Sequence, residues 1–315
     1  MKKIKFIELF AGIGGFRYGL ERVRVTNKKQ SQRLSLGNKK RLCTKLFNKC
    51  SKRLFTCVWA NDNDPHACQI YKNNYMEGEL HEGDITKIKA KTIPDHDLLT
   101  AGFPCQAFSI AGKRGGFEDT RGTLFFEIAR ILKVKQPRML LLENVKGLLS
   151  HDGGKTFAKI LQTLDVLGYD AEWQVLNSKN FGVPHSRERV FIIGHLRKEG
   201  RQKIFFNQRA NSQNKKKIIE VNHGFHRYRT YNSKGISPSL TSYQKAGYAG
   251  TKIELMKDVK IRYLTPIECE RLQGFPDEWT EGVSDSKRYE CLGNAVTTNV
   301  ITYIGKLIKK EEVNV

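Results

Sequence analysis

The feature that most constrains the fold of this chain is a recurrent alternation of short apolar runs with longer amphipathic stretches. Residues 4–10, 58–62, 97–101, 139–142, 173–176 and 190–194 read as strands, several of them apolar enough to be buried on both faces. Helical spacing fills the gaps at 16–23, 65–75, 123–133 and 155–167. Strand alternating with helix predicts an α/β fold, a parallel sheet wrapped on both faces, over residues 1–195. A further helix opens at Thr265, a cap residue followed by Pro266 at the first turn. Gly293-Asn294-Ala295-Val296 and the apolar run after it close the chain.

Two stretches break this rhythm. Residues 22–56 form an insertion in the first crossover, with about a dozen Lys and Arg and no acid between 22 and 53. A solvated loop and a direct nucleic-acid contact both remain open for it. Residues 196–277 are polar and read as a small separate domain, leaving 1–195 with 278–315 as the larger one. The whole chain of 315 residues carries a net charge of +23, and such a field concentrates polyanions, nucleic acid first among them. Its seven cysteines form no CxxC pair, which points to a reducing compartment and away from a structural zinc site. No metal is expected. No apolar run approaches the ~18 residues of a membrane span, and the start runs into a strand without a signal-peptide core. A cytoplasmic protein is expected.

The chemistry gathers at predicted strand ends. Phe10-Ala11-Gly12-Ile13-Gly14-Gly15 lets backbone approach a ligand at a helix start, although Arg17 stands where a dinucleotide fingerprint has glycine. A plain structural turn stays open. Asp62 is placed to accept ribose hydroxyls or to cap the helix that follows, and Asp84, beside Ile85, suits an exocyclic amine. Gly102-Phe103-Pro104-Cys105-Gln106 sets a cysteine in a glycine-rich loop with Lys113, Arg114 and Arg121. A nucleophilic thiol needs such an electropositive setting, because its ordinary pKa of ~8.5 leaves it mostly protonated; a buried inert cysteine is the alternative. The loop's glycines at 112, 115, 116 and 122 suit a lid. Glu143 follows an apolar strand, where partial burial would raise its pKa and let it donate a proton. Arg187-Glu188-Arg189 offers two guanidinium groups for a carbonyl, the acid or a phosphate; local salt bridges at a strand entry are the alternative.

These residues, in this order, resemble the bacterial DNA (cytosine-5)-methyltransferases along nearly the whole chain. The glycine turn is similar to their S-adenosylmethionine loop, Gly102 to Gln106 to their nucleophile motif, and Glu143-Asn144-Val145 to their acid motif. Residues 174–194, 262–276 and 293–296 resemble the remaining motifs, and 91–133 looks most like the small enzymes that modify GCGC-type sites. The resemblance implies a Rossmann-like class I methyltransferase sheet with a smaller target-recognition domain. It implies Cys105, Glu143, Arg187 and Arg189 as catalytic residues acting on a flipped cytosine. Phe10 would stack on adenine, with Gly12, Gly14, Asp62, Asp84, Ile85, Pro104, Leu124 and Asn294 completing the S-adenosylmethionine site. Gln106, Ser109, Arg229 and Tyr243 would meet double-stranded DNA, Arg229 being suited to a guanine edge.

The chain departs from the family pattern at three places. Asn63 stands where an aromatic is usual, Ser239-Leu240 where Thr and an aliphatic residue are usual, and the basic insertion has no counterpart. Within the resemblance the expected setting is a restriction-modification system in the bacterial cytoplasm, with a monomeric enzyme and a cognate endonuclease acting on the same site. A tRNA cytosine-5 methyltransferase of the same fold and a catalytically decayed DNA-binding relative are the competing readings.

Overall fold

The computed structural model describes residues 2–25, 52–75, 78–103, 124–197, 220–222, 230–232, 236–240, 252–255 and 260–314. Nine strands lie in its first part: β1 Ile4–Leu9, β2 Arg24–Val25, β3 Lys52–Arg53, β4 Phe55–Asp62, β5 Leu80–Glu82, β6 Leu98–Gly102, β7 Met139–Val145, β8 Tyr169–Asn177 and β9 Glu188–Leu196. Seven of them form one sheet in the order β5-β4-β1-β6-β7-β9-β8. The helices are α1 Gly15–Glu21, α2 Pro65–Asn74, α3 Leu124–Lys135, α4 Lys155–Val166, α5 Pro266–Gln273, α6 Asp285–Asn294 and α7 Thr298–Asn314.

Strand β7 shows why the sheet is covered on both sides. Met139 and Leu141 point into a core shared with Phe6, Leu20, Val300 and Ile304, so α1 and α7 lie on that face. Leu140 and Leu142 point the other way, among Ile7, Leu99, Ile128 and Ile160, against α3 and α4. Side chains alternate along a strand, so a strand sandwiched between two helical layers must be apolar throughout.

The expected all-parallel sheet needs one correction. From β5 to β7 the pairing is parallel, but β9 runs antiparallel to both β7 and β8. Between β8 and β9 the chain has room only for the 3₁₀ turn Ser178–Phe181, and a parallel return needs a crossover of a dozen or more residues.

Helix starts follow local chemistry. Asp64 accepts from the backbone N–H of His66 (2.8 Å) and Ala67 (2.9 Å) ahead of Pro65-led α2. At α5, Thr265 and Glu268 form a reciprocal capping box, and Gly274 ends the helix in left-handed conformation at φ 79°. Helix α1 stops at Glu21, two residues short of the expected end. There the Val23 N–H bonds the Leu20 carbonyl and the chain enters β2.

Strands β2 and β3 form a short antiparallel ribbon, Arg24 facing Arg53 and Val25 facing Lys52. Leu54 then donates to Val23 and accepts from the N–H of Ile4, so the ribbon leaves the sheet at the amino-terminal ends of β1 and β4. Most of the basic insertion, 26–51, lies outside the described residues. A second sheet comprises β10 Glu220–Asn222, β11 Thr230–Asn232, β12 Lys252–Leu255 and β13 Lys260–Tyr263, in that order. After it, Leu264, Cys269, Leu272, Phe275 and Trp279 pack with Ile13, Ala67 and Ile70, so the chain returns against the glycine turn.

Candidate active site

The carboxyl ends of β1, β4, β6 and β7 converge on one edge of the sheet, where open α/β sheets bind ligands. At the end of β1 the backbone turns sharply: Phe10, half-buried, has φ 53°, and Gly12 and Gly14 have φ 54° and 80°. A side chain at Gly12 would meet nothing within 4 Å, which leaves the turn open for a ligand to approach the backbone. The Gly12 N–H donates to Asp62 Oδ2 at 2.7 Å, and Asp64 N–H to Asp62 Oδ1 at 2.8 Å. Burial raises the pKa of Asp62, and these N–H donors work against that rise. Each of its oxygens keeps a further lone pair, a donor set that fits the two hydroxyls of a ribose. Asn63 is exposed and adds no aromatic wall.

Asp84 caps the 3₁₀ turn Ile85–Lys87, accepting from Thr86 N–H at 2.9 Å, and that bond holds its pKa down. It therefore stands ionised at the sheet edge, an acceptor for an amine. Ile85 is buried in the core beneath it. Phe10 and Leu124, the first residue of α3, pack on that same core. Asn294, exposed at the end of α6, precedes Ala295 and Val296, and Val296 leaves no room for a side chain at Gly15.

Glu143 lies opposite Gly102 in the β6–β7 register and is 8% exposed. Burial pushes its pKa up, while the guanidinium groups of Arg189 and then Arg187 pull it down. Arg189 Nε stands 3.2 Å from Glu143 Oε1, yet that oxygen has no hydrogen bond among the described residues. A buried carboxyl with an unused lone pair and a raised pKa suits hydrogen bonding to a ring nitrogen. Arg187 is 2% exposed and donates to the carbonyls of Leu240 (3.2 Å), Gly293 (2.9 Å) and Ala295 (3.0 Å). It binds three distant segments together beside the acid. Its Nε has no hydrogen-bond partner among the described residues.

Four supporting residues have no role assigned from sequence. Asn144 Nδ2 donates to the Phe103 carbonyl at 2.9 Å, fixing the chain where it enters the cysteine loop. Asn61 donates to the carbonyls of His81 (2.8 Å) and Gly83 (2.9 Å), which sets the approach to Asp84. Glu8, fully buried, accepts from the N–H groups of Phe16 (3.0 Å) and Arg17 (3.4 Å) and so holds the exit of the glycine turn. His185 accepts from Leu240 N–H at 3.1 Å, which leaves Nδ1 to donate to the Leu272 carbonyl at 3.2 Å. A polar residue inside an apolar strand is the only clue that could have found Glu8 or Asn61. Pro104, Cys105, Gln106, Ser109, Arg229 and Tyr243 lie outside the described residues.

The chain matches the family model described as C-5 cytosine-specific DNA methylase over residues 4–233 and 201–310. It is 36% identical to the Type II methyltransferase M.HhaI of Haemophilus parahaemolyticus, over 96% of this chain and 93% of that protein. It is 35% identical to the Type II methyltransferase M.HpaII of Haemophilus parainfluenzae, over 98% and 89% of the two. In fold it is similar to the S. pombe Dnmt2 methyltransferase, with a TM-score of 0.67 at 23% identity over 98% of this chain and 99% of that one. Matching of this extent, on a sheet whose carboxyl edge carries the glycine turn, Asp62 and Glu143, leads to one conclusion: the chain belongs to the C-5 cytosine-specific DNA methylases, enzymes that take their methyl group from S-adenosylmethionine.

Proposed function

We propose that this enzyme methylates carbon 5 of a cytosine flipped out of a specific short double-stranded DNA site, through a covalent adduct on Cys105. The observation that carries the reading is Glu143: buried, raised in pKa, and with Oε1 unbonded beside Arg189. Glu143 faces Gly102 across the β6–β7 pair, and three residues on from Gly102 is Cys105. Covalent geometry limits that span to about 11 Å, a reach that supports a shared pocket for the thiol and the carboxyl.

In this reaction the Cys105 thiolate adds to ring carbon 6, and Glu143 delivers a proton or hydrogen bond to ring nitrogen 3 as electrons move onto it. Carbon 5 becomes nucleophilic. Phe10, Gly12, Gly14, Asp62 and Asp84 with Ile85, Pro104, Leu124 and Asn294 would hold S-adenosylmethionine, which would supply the methyl group there and leave as S-adenosylhomocysteine. Loss of the carbon-5 proton and breakage of the bond to Cys105 restore the ring. Arg189 faces the base oxygen, and Arg187 supports the adduct through the segments it ties together. Gln106, Ser109, Arg229 and Tyr243 contact the DNA from a target-recognition domain and the cysteine loop. The division is 1–195 with 278–315 for catalysis and 196–277 for recognition, with 22–56 inserted. The enzyme acts as a monomer in the bacterial cytoplasm beside an endonuclease of the same specificity; the relatives' Type II names support the restriction-modification setting.

Bisulfite sequencing of DNA from cells expressing the protein tests this reading and yields the recognised sequence. Cys105→Ala abolishes the 5-methylcytosine signal while DNA binding persists. A Cys105→Ser protein that methylates as well as the parent overturns the covalent route, and transfer to tRNA but not DNA overturns the substrate.

A further inference from the structure

At the edge of the sheet opposite the active site, a groove runs between the insertion stem and the last helix. It is lined by Val23, Arg24, Lys306, Lys309, Lys310 and Val313. Lys306 and Lys310 are exposed, one helical turn apart on α7, and Val313 is 59% exposed one turn further on. Lys309 Nζ donates to the Arg24 carbonyl at 2.7 Å, which fastens the helix to the stem and fixes the width of the groove.

The acids of this helix do not neutralise it. Glu312 pairs with Arg138 at 2.5 Å and Glu311 faces His195 at 3.9 Å, both on the side turned to the sheet. The ion pairs of this helix run from Glu312 to Arg138 and from Glu311 toward His195, and none to Lys306 or Lys310 is found among the described residues. The segment leaving the stem, 26–51, has eight Lys and Arg and no Asp or Glu, so its sequence offers no carboxylate to neutralise the groove. A groove of one sign with an apolar floor concentrates anionic partners from outside the chain.

We infer that this groove is a second nucleic-acid contact, which takes the phosphate backbone of duplex DNA away from the target base. Arg138, beside the helix end, precedes the first residue of β7, and Glu143 is five residues along. At about 3.3 Å per residue that places the groove and the active site roughly 17 Å apart at opposite ends of the strands, so the two contacts engage separate stretches of DNA. The contact reads no sequence. It holds the enzyme on long DNA between target sites.

The test is the salt dependence of binding to a long labelled duplex, compared for the parent and a Lys306→Gln/Lys310→Gln protein. Loss of two phosphate contacts flattens the slope of log K against log salt by about 1.8. A Lys306→Arg/Lys310→Arg protein keeps the parental slope. A Lys133→Gln/Lys159→Gln protein, with the same net charge change on the opposite face of the sheet, also keeps it. Thermal midpoints establish that each variant is folded. An unchanged slope in the Gln pair overturns the inference, as does equal flattening in the control pair, which makes the effect one of net charge. Flattening seen with single-stranded RNA and absent with duplex DNA overturns it too.

Discussion

At Glu8 the carboxyl is fully buried and turned to the N–H groups of Phe16 and Arg17, and burial raises its pKa to about 8 despite the nearby Arg17 charge. The folded state therefore holds a proton that the unfolded chain releases near pH 4.5. The stability from that proton is complete below about 4.5 and is lost as pH rises through about 8, at most about 1.4 kcal/mol per pH unit. Glu8→Gln keeps the acceptor oxygen and should flatten the fall, read from thermal midpoints across this window. His185 has the opposite sign: burial and then Arg187 lower its pKa to about 3, so its contribution is present above 6.5 and lost as pH falls toward 3. His185→Gln, able to accept from Leu240 and donate to Leu272, should lessen sensitivity to acid in the same measurement. Glu143→Gln should slow methyl transfer by about 10²–10⁴-fold in single-turnover kinetics, the span of a general acid, with DNA binding retained. Motif order made Glu143 and Asp62 legible from sequence, although only the structure shows that Asp64, not Asp62, caps the helix that follows. Glu8, Asn61 and His185 were not legible, since their partners are backbone groups that only the folded chain brings near.

Helix α1 packs closely against α7 just beyond the glycine turn. A side chain at Gly19 would press on Ile301 and on the Thr298 carbonyl, closer than any real contact. Gly19→Ala should therefore cost about 1–3 kcal/mol, measured by denaturant unfolding, and should weaken cofactor binding as α1 shifts. The apolar runs of β1, β4, β6 and β7 and the spacing of α2, α3 and α4 were readable because each buries a repeating face. The direction of β9 was not. Its composition is that of any buried strand, and the short 178–187 connection alone decides that it turns back antiparallel. The shortened α1 has a similar cause, since the ribbon after Arg22 draws the chain away before another turn can form.

Across the whole molecule, the acids that bear on chemistry lie at one edge of the sheet, and the insertion stem lies at the other. Composition announced a polyanion partner but carried no direction; the strand register supplies it, because β1 and β4 start beside the stem and end beside Phe10 and Asp62. Val25 and Lys52 face each other across an antiparallel ribbon, a spacing that a two-residue Asn-Gly turn closes. Replacing 26–51 by that dipeptide should leave the thermal midpoint within a few degrees, since it keeps the ribbon register and the Leu54 bonds to Val23 and Ile4 that tie the ribbon to the sheet. The stem is thus a ready-made splice point: a reporter peptide or tethered protein hung there would ride behind the enzyme, clear of the base that it modifies.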